Sequence, residues 1–107
     1  MTKSGMNKPD LVTYEIRIRK IFHVNIEITE NRETGEWSWT DIELSPGKLD
    51  RDEIIAKIVD SKYPENTRLR LGLEPESLEY EIMLAWKKQA EKIANEAIKF
   101  VKEKGLW

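Results

Sequence analysis

The stretch from Pro75 to Gly105, PESLEYEIMLAWKKQAEKIANEAIKFVKEKG, constrains the fold more than any other part of this chain. Met83, Trp86, Ala90, Ile93, Ala97 and Phe100 recur at steps of three and four, and Ile82, Ala94, Ile98 and Val101 widen that row. Such spacing places one broad apolar stripe along a helix. Lys87, Lys88, Glu91, Lys92, Asn95, Glu96, Lys99 and Glu103 occupy the other side. Pro75 suits the first turn, where an N–H is not needed. Glu74, Glu76, Glu79 and Glu81 near the start and Lys99, Lys102 and Lys104 near the end match the helix dipole. Gly105 can take the left-handed conformation that closes a helix. A helix over 75–104 would be about 45 Å long, more than a domain with a radius of gyration near 13 Å accommodates. One end is therefore expected to project or to pack on another subunit. The stripe also runs close to a 3.5-residue period, so a coiled-coil seam and a cover for a sheet both remain open.

The chain has 107 residues, enough for one domain with one modest core. Residues 1–10 hold few apolar side chains and are expected as a flexible lead-in, with 11–107 forming the domain. From Leu11 to Thr29 the even positions carry Val12, Tyr14, Ile16, Ile18, Phe22, Val24, Ile26 and Ile28, and the odd positions are mostly polar. That alternation marks strand. The run is too long for one ordinary strand, so it must bend or divide, and Arg19-Lys20 is the expected place. ENRETG ending at Gly35 suits a hairpin loop, and EWSWTDIEL (36–44) is the partner strand. Its apolar residues change phase. A bulge near Thr40-Asp41 would bring Trp37, Trp39, Ile42 and Leu44 to one side; without it the tryptophans face away from the helices.

A short helix is expected over 50–62, with Asp50 as N-cap and Glu53 completing a capping box, followed by the break at Pro64. Residues 65–74 fit a short strand or a helical turn, which Gly72 would break. Strands followed by helices give an α+β class: a small antiparallel sheet, hairpin or meander, packed on one face by a short helix and a long C-terminal one.

The same chemistry excludes several functions. There is no cysteine, so disulfides, thiolate metal sites and cysteine nucleophiles are ruled out. Net charge is −2 despite 36% charged residues, which provides no global basic field for nucleic acid. No run is long and apolar enough for a membrane span, and the expected location is the cytoplasm. His23, the sole histidine, falls on the polar face of a strand and is expected to be exposed, with no metal or catalytic role. The acidic group Asp50, Asp52 and Glu53 reads as helix-start chemistry. Neither a phosphate-cradling glycine loop nor a positioned carboxylate pair is present, and no catalytic residue, cofactor or small-molecule ligand is expected.

What remains points to contacts. Trp37 and Trp39 are candidates for a partner surface, since tryptophan is enriched at interface hot spots. Phe100, Val101 and Trp107, at the end of the long helix, are candidates too if the sheet needs only part of the stripe. The expected partner is a second copy or another protein. A different reading uses Arg17, Arg19 and Lys20 beside Tyr14 and Phe22 as a small nucleic-acid-binding face. Glu15 and Glu27 on the arginine side favour cross-strand ion pairs instead.

From Trp39 to Ala97 the chain resembles short uncharacterised proteins of bacterial genomes and prophages that lie in or near phage tail and accessory regions. The shared features are the acidic-capped DRDEIIAKIV, the break at Tyr63-Pro64, the leucine-rich RLRLGL, and the helix that opens with Glu79-Tyr80 and runs through Trp86 into KKQAEKIANEA. The resemblance implies no catalytic residues. It is compatible with a non-enzymatic interaction or assembly protein that self-associates.

Overall fold

The computed structural model describes residues 2–47 and 49–105. Four strands, β1 (Thr2–Gly5), β2 (Val12–Ile16), β3 (Lys20–Asn31) and β4 (Glu36–Glu43), precede three helices, α1 (Arg51–Lys62), α2 (Glu65–Gly72) and α3 (Leu78–Lys104). The strands form one antiparallel sheet in the order β1-β4-β3-β2. The helices lie against one of its faces, as an α+β chain of this order should arrange them.

The long alternating run does divide, at Arg17–Arg19, into β2 and β3. The Arg17 amide bonds to the Arg19 carbonyl at 3.2 Å, and Gly47 donates to the Lys20 carbonyl at 2.8 Å. The turn is thus held from the neighbouring loop rather than by turn-specific residues of its own. Alternation in β2 and β3 sends Val12, Phe22, Val24 and Ile26 to the helix side. Tyr14 and Ile16 share that parity but run past the helices and stay exposed, as does Ile18 at the hairpin tip.

A bulge near Thr40-Asp41 of β4 does not form, and the irregularity lies on the opposite strand. Ile26 pairs with Thr40 and Thr29 pairs with Ser38, so Glu27 and Ile28 together face Trp39. Glu27 takes φ 52, a left-handed value that costs a non-glycine residue about 1 kcal/mol or more. Its carboxylate pairs with Lys62 at 2.9 Å, tying the bulge to the end of α1. With β4 itself regular, Thr40, Ile42 and Leu44 share the helix side, while Trp37, Trp39 and Asp41 face away from it.

The lead-in is not flexible throughout. Thr2–Gly5 is an edge strand, with Thr2 opposite Thr40 and Gly5 opposite Trp37. Its sequence, TKSG, lacks apolar alternation because backbone pairing and one ion pair hold it. Strands β1 and β2 occupy opposite edges, so residues 6–11 must span three strand spacings, about 14 Å. Six residues reach about 20 Å. Pro9 lies beside Trp39, Asn25 and Asp41, and Lys8 Nζ sits 5.8 Å from the centre of the Trp37 ring. The crossing therefore covers the sheet face that the helices leave open.

Helix α1 begins after Asp50, but the capping box does not form. Asp50 makes no side-chain cap, and Glu53 Oε1 instead accepts from the Ser45 amide at 3.0 Å and from its hydroxyl. The sheet's last residues are thereby fastened to the helix start. Residues 65–72 are helical, and Gly72 ends α2. Helix α3 starts later than Pro75: Ser77 is its N-cap, accepting from the Tyr80 amide at 3.2 Å. Gly105, at φ 65, closes it as its residue type suggests.

Ala90, Ala94, Ala97 and Val101 are fully buried against Ile54, Ile58 and the sheet. Trp86 Nε1 donates to the Ile58 carbonyl at 3.2 Å, and Arg51 Nε donates to Asn95 Oδ1 at 2.7 Å. The small side chains let α1 and α3 approach closely, so the C-terminal part of the seam is consumed within the chain. Leu71 and Met83 are buried outside this core, where α2 meets the start of α3. The radius of gyration is 15.3 Å, above the roughly 13 Å expected for this length. The excess fits a 27-residue helix whose first turns extend past the sheet. Ala94→Leu, which overpacks the α1–α3 contact, is expected to lower stability by about 1–3 kcal/mol. Urea unfolding would show this as a lower midpoint at unchanged slope.

Candidate functional site

Three groups of side chains stand out. The first is the polar cluster on the sheet face away from the helices. Register places Thr13 beside His23 and His23 beside Glu43, with Asn25 beside Asp41 and Lys3 beside Trp39. His23, expected as an exposed strand residue, is only 8% exposed. The crossing segment and the flanking strands cover it. His23 Nδ1 lies 2.7 Å from Asp41 Oδ1, and Nε2 lies 3.0 Å from Glu15 Oε1. Asp41 is itself buried, and its Oδ2 receives Lys3 Nζ at 2.7 Å. Arg17 then bridges two carboxylates, at 2.7 Å from Glu15 and 3.1 Å from Glu43. Asn25 donates to the Asp10 carbonyl at 2.8 Å and to Thr13 Oγ1 at 3.3 Å, which fixes the end of the crossing.

Electrostatics follow from these contacts. The hydrogen bond from His23, followed by that from Arg17, holds the Glu15 carboxyl below its ordinary value. The hydrogen bond to Asp41 raises the Lys3 ammonium above its ordinary value. Among the described residues, Glu15, His23 and Glu43 form a group whose potential ligand atoms all lie within 4.8 Å of one another.

The second group is the basic stretch. Arg17, Arg19 and Lys20 do not make one basic surface. Arg17 is committed to Glu15 and Glu43. Arg17 and Arg19 line one cleft with Ile18, Ile21 and Pro46, while Lys20 Nζ lies 4.7 Å from the centre of the Tyr14 ring. Arg17 and Arg19 share strand parity and a cleft, whereas Lys20 has the opposite parity and turns to the Tyr14 ring.

The third group is apolar. Trp37 and Trp39 face away from the helices, yet both are half-buried. Lys8 lies over Trp37, and the Trp39 ring sits so close to Gly5 that an added Cβ would stand 3.4 Å from it. The N-terminal segment thus already uses part of both rings. Val101, expected as a contact residue, is fully buried in the core and is unavailable to a partner, and Phe100 is half-buried against the same core. Trp107 lies outside the described residues.

The open apolar surface is at the other end of the long helix. Leu69 is 66% exposed, Leu73 84%, Leu78 70% and Ile82 51%. Leu69 lies on α2 and Leu73 is the C-cap four positions on, while Leu78 and Ile82 are four apart on α3 and share one of its faces. Ile82 continues into a groove with Ala85, Trp86, Gln89, Lys62 and Tyr63. This surface escaped the sequence reading because α2 was ambiguous. Four leucines and isoleucines at i, i+4 spacing on either side of Gly72 were the available signal.

Among the described residues no helix is long and apolar enough to cross a membrane. No family model, curated protein or solved structure matches the chain.

Because Glu15 titrates below its ordinary 4.5, its stabilising contribution is complete above that value and fades as pH falls through the lower folded value. Glu15→Gln is therefore expected to be less stable than the parent at neutral pH, with the gap closing in acid and shrinking in high salt. Urea midpoints across a pH series would read this out.

Proposed function

We propose that this chain is a non-enzymatic interaction protein that acts in the cytoplasm and self-associates through the exposed end of its α2–α3 helix pair. The observation that carries the reading is the exposure of Leu69 on α2, Leu73 at its C-cap, and Leu78 and Ile82 on the first turns of α3. Each such side chain removed from water contributes about 1.5–3 kcal/mol, and contiguous apolar surface of this kind marks a contact site.

The occupant is a second copy of the chain. Arg70 lies on α2, 3.9 Å from Glu79, and Glu74, Glu76 and Glu81 are close to it in sequence, so both charge signs occur beside the exposed leucines, whereas Arg68 is paired with Asp60 within the chain. A two-fold interface requires such self-complementarity, because each copy presents the same surface to the other. The resemblance of 39–97 to short prophage proteins supports a phage-accessory setting, in which tail or packaging genes would flank the coding sequence.

Sedimentation equilibrium at micromolar concentration is expected to show a dimer. Leu73→Glu with Ile82→Glu should convert it to a monomer with little loss of fold stability, since both positions are exposed in the single chain. Ile16→Lys with Ile18→Lys, on the exposed hairpin, should leave the dimer intact. A monomeric parent, or dissociation by the hairpin pair alone, would refute the proposed surface.

A further inference from the structure

The polar face of the sheet holds an arrangement that self-association does not use. We infer that Glu15, His23 and Glu43 form a binding site for a divalent transition-metal cation of the zinc class, with Asp41 as the outer support of the histidine. This inference is independent of the dimer surface, which lies on the helices.

The argument starts with His23. A neutral imidazole has one N–H and one lone pair. Asp41 Oδ1, buried and 2.7 Å from Nδ1, accepts the ring proton there. Nε2 lies 3.0 Å from Glu15 Oε1, a hydrogen-bond distance, and the proton between them is the one a bound metal would displace. Two electron-rich atoms at that distance repel unless a proton or a cation lies with them. A carboxylate behind one ring nitrogen is the usual support for a histidine that binds metal through the other. Asp41 is held in turn by Lys3 Nζ at 2.7 Å, so the ring cannot readily swing.

The remaining ligands are in reach. The ligand atoms of Glu15, His23 and Glu43 lie within 4.8 Å of one another. Metal–ligand bonds of about 2.0–2.2 Å at tetrahedral angles set ligand atoms roughly 3.3–3.6 Å apart, so the Nε2–Glu15 gap would widen slightly and any longer separation would close. The Glu15 and Glu43 side chains are 42% and 50% exposed and can make that adjustment by rotation. One imidazole with two carboxylates suits zinc or a neighbouring transition ion better than calcium or magnesium, which take oxygen ligands alone. Three protein ligands would leave a position for water.

The site already attracts a cation. The Arg17 guanidinium sits 2.7 Å from Glu15 and 3.1 Å from Glu43, and its own side chain is 56% exposed at the hairpin turn. It neutralises the two carboxylates in the absence of metal and can leave without disturbing the core. Arg17 is thus a competitor for the site, and its removal distinguishes a metal site from a purely structural ion-pair network.

The test is calorimetric titration of the full chain with zinc, supported by the visible spectrum of the cobalt-substituted protein. One equivalent per chain is expected, with a spectrum of a four- or five-coordinate ion. Glu43→Gln, at an exposed position, should weaken binding at least roughly tenfold, and Asp41→Asn about 10- to 100-fold. His23→Gln should abolish it, with circular dichroism confirming the fold. Arg17→Ala should tighten binding. If neither the parent nor Arg17→Ala binds zinc saturably, or if Glu43→Gln and His23→Gln bind as the parent does, the inference fails. A dimer that persists without metal leaves the self-association reading standing, so the two can fail separately.

Discussion

Strand β3 is buried on both faces from Ile21 to Ile26, and the rest of the molecule is arranged to make that burial tolerable. On one face Phe22, Val24 and Ile26 need an apolar cover, which α1 and α3 supply. On the other face His23 and Asn25 lose water as well, and buried polar groups are costly unless each finds a partner. Asp41, Glu15, Thr13 and the Asp10 carbonyl are those partners. All four lie on adjacent strands or at the end of the segment that crosses the face. The polar network and the crossing are therefore two parts of one solution, since the crossing excludes water and the network makes the exclusion affordable.

This explains which parts of the fold were legible beforehand. Alternation in 11–29 and periodicity in 75–105 are local signals, and both yielded the right element types. Burial of His23 is not local. It follows from β1 and β2 taking opposite edges of the sheet, a topological fact that no spacing within TKSGMNKPD encodes. The bulge is a similar case. The phase change between Trp39 and Ile42 left open a bulge near Thr40-Asp41 or tryptophans facing away from the helices; the second holds, and nothing in β4 pointed to an irregularity on the partner strand. Left-handed backbone usually announces itself with glycine or asparagine, and Glu27 gave no such sign. Ser77 could have been recognised as a cap from its place before the apolar run, although Pro75 was the more conspicuous signal.

The long helix shows the same division. Its stripe is continuous in sequence, but its neighbours are not. From Ala90 to Val101 small and medium side chains let α1 and the sheet close on it. Around Leu78 and Ile82 the cover is slight: α2, eight residues long, and the end of α1 at Lys62 and Tyr63. Periodicity reveals that a face is apolar without revealing which part of it the chain itself covers. The free end proved to be the N-terminal one, because Val101 is enclosed and Leu78 is not.

The pairing of β1 with β4 has a kinetic meaning. Thr2 meets Thr40, and Gly5 meets Trp37, so these contacts join parts of the chain far apart in sequence, whereas β2–β3 and β3–β4 are hairpins between neighbours. Contacts between distant segments bear a larger loop-closure entropy and form late. The hairpins and the α1–α3 layer can assemble first, leaving the first strand to dock on a finished sheet. Until it does, Asp41 lacks the Lys3 ion pair and the tryptophan face lies open. The last step of folding and the completion of the polar cluster are then a single event.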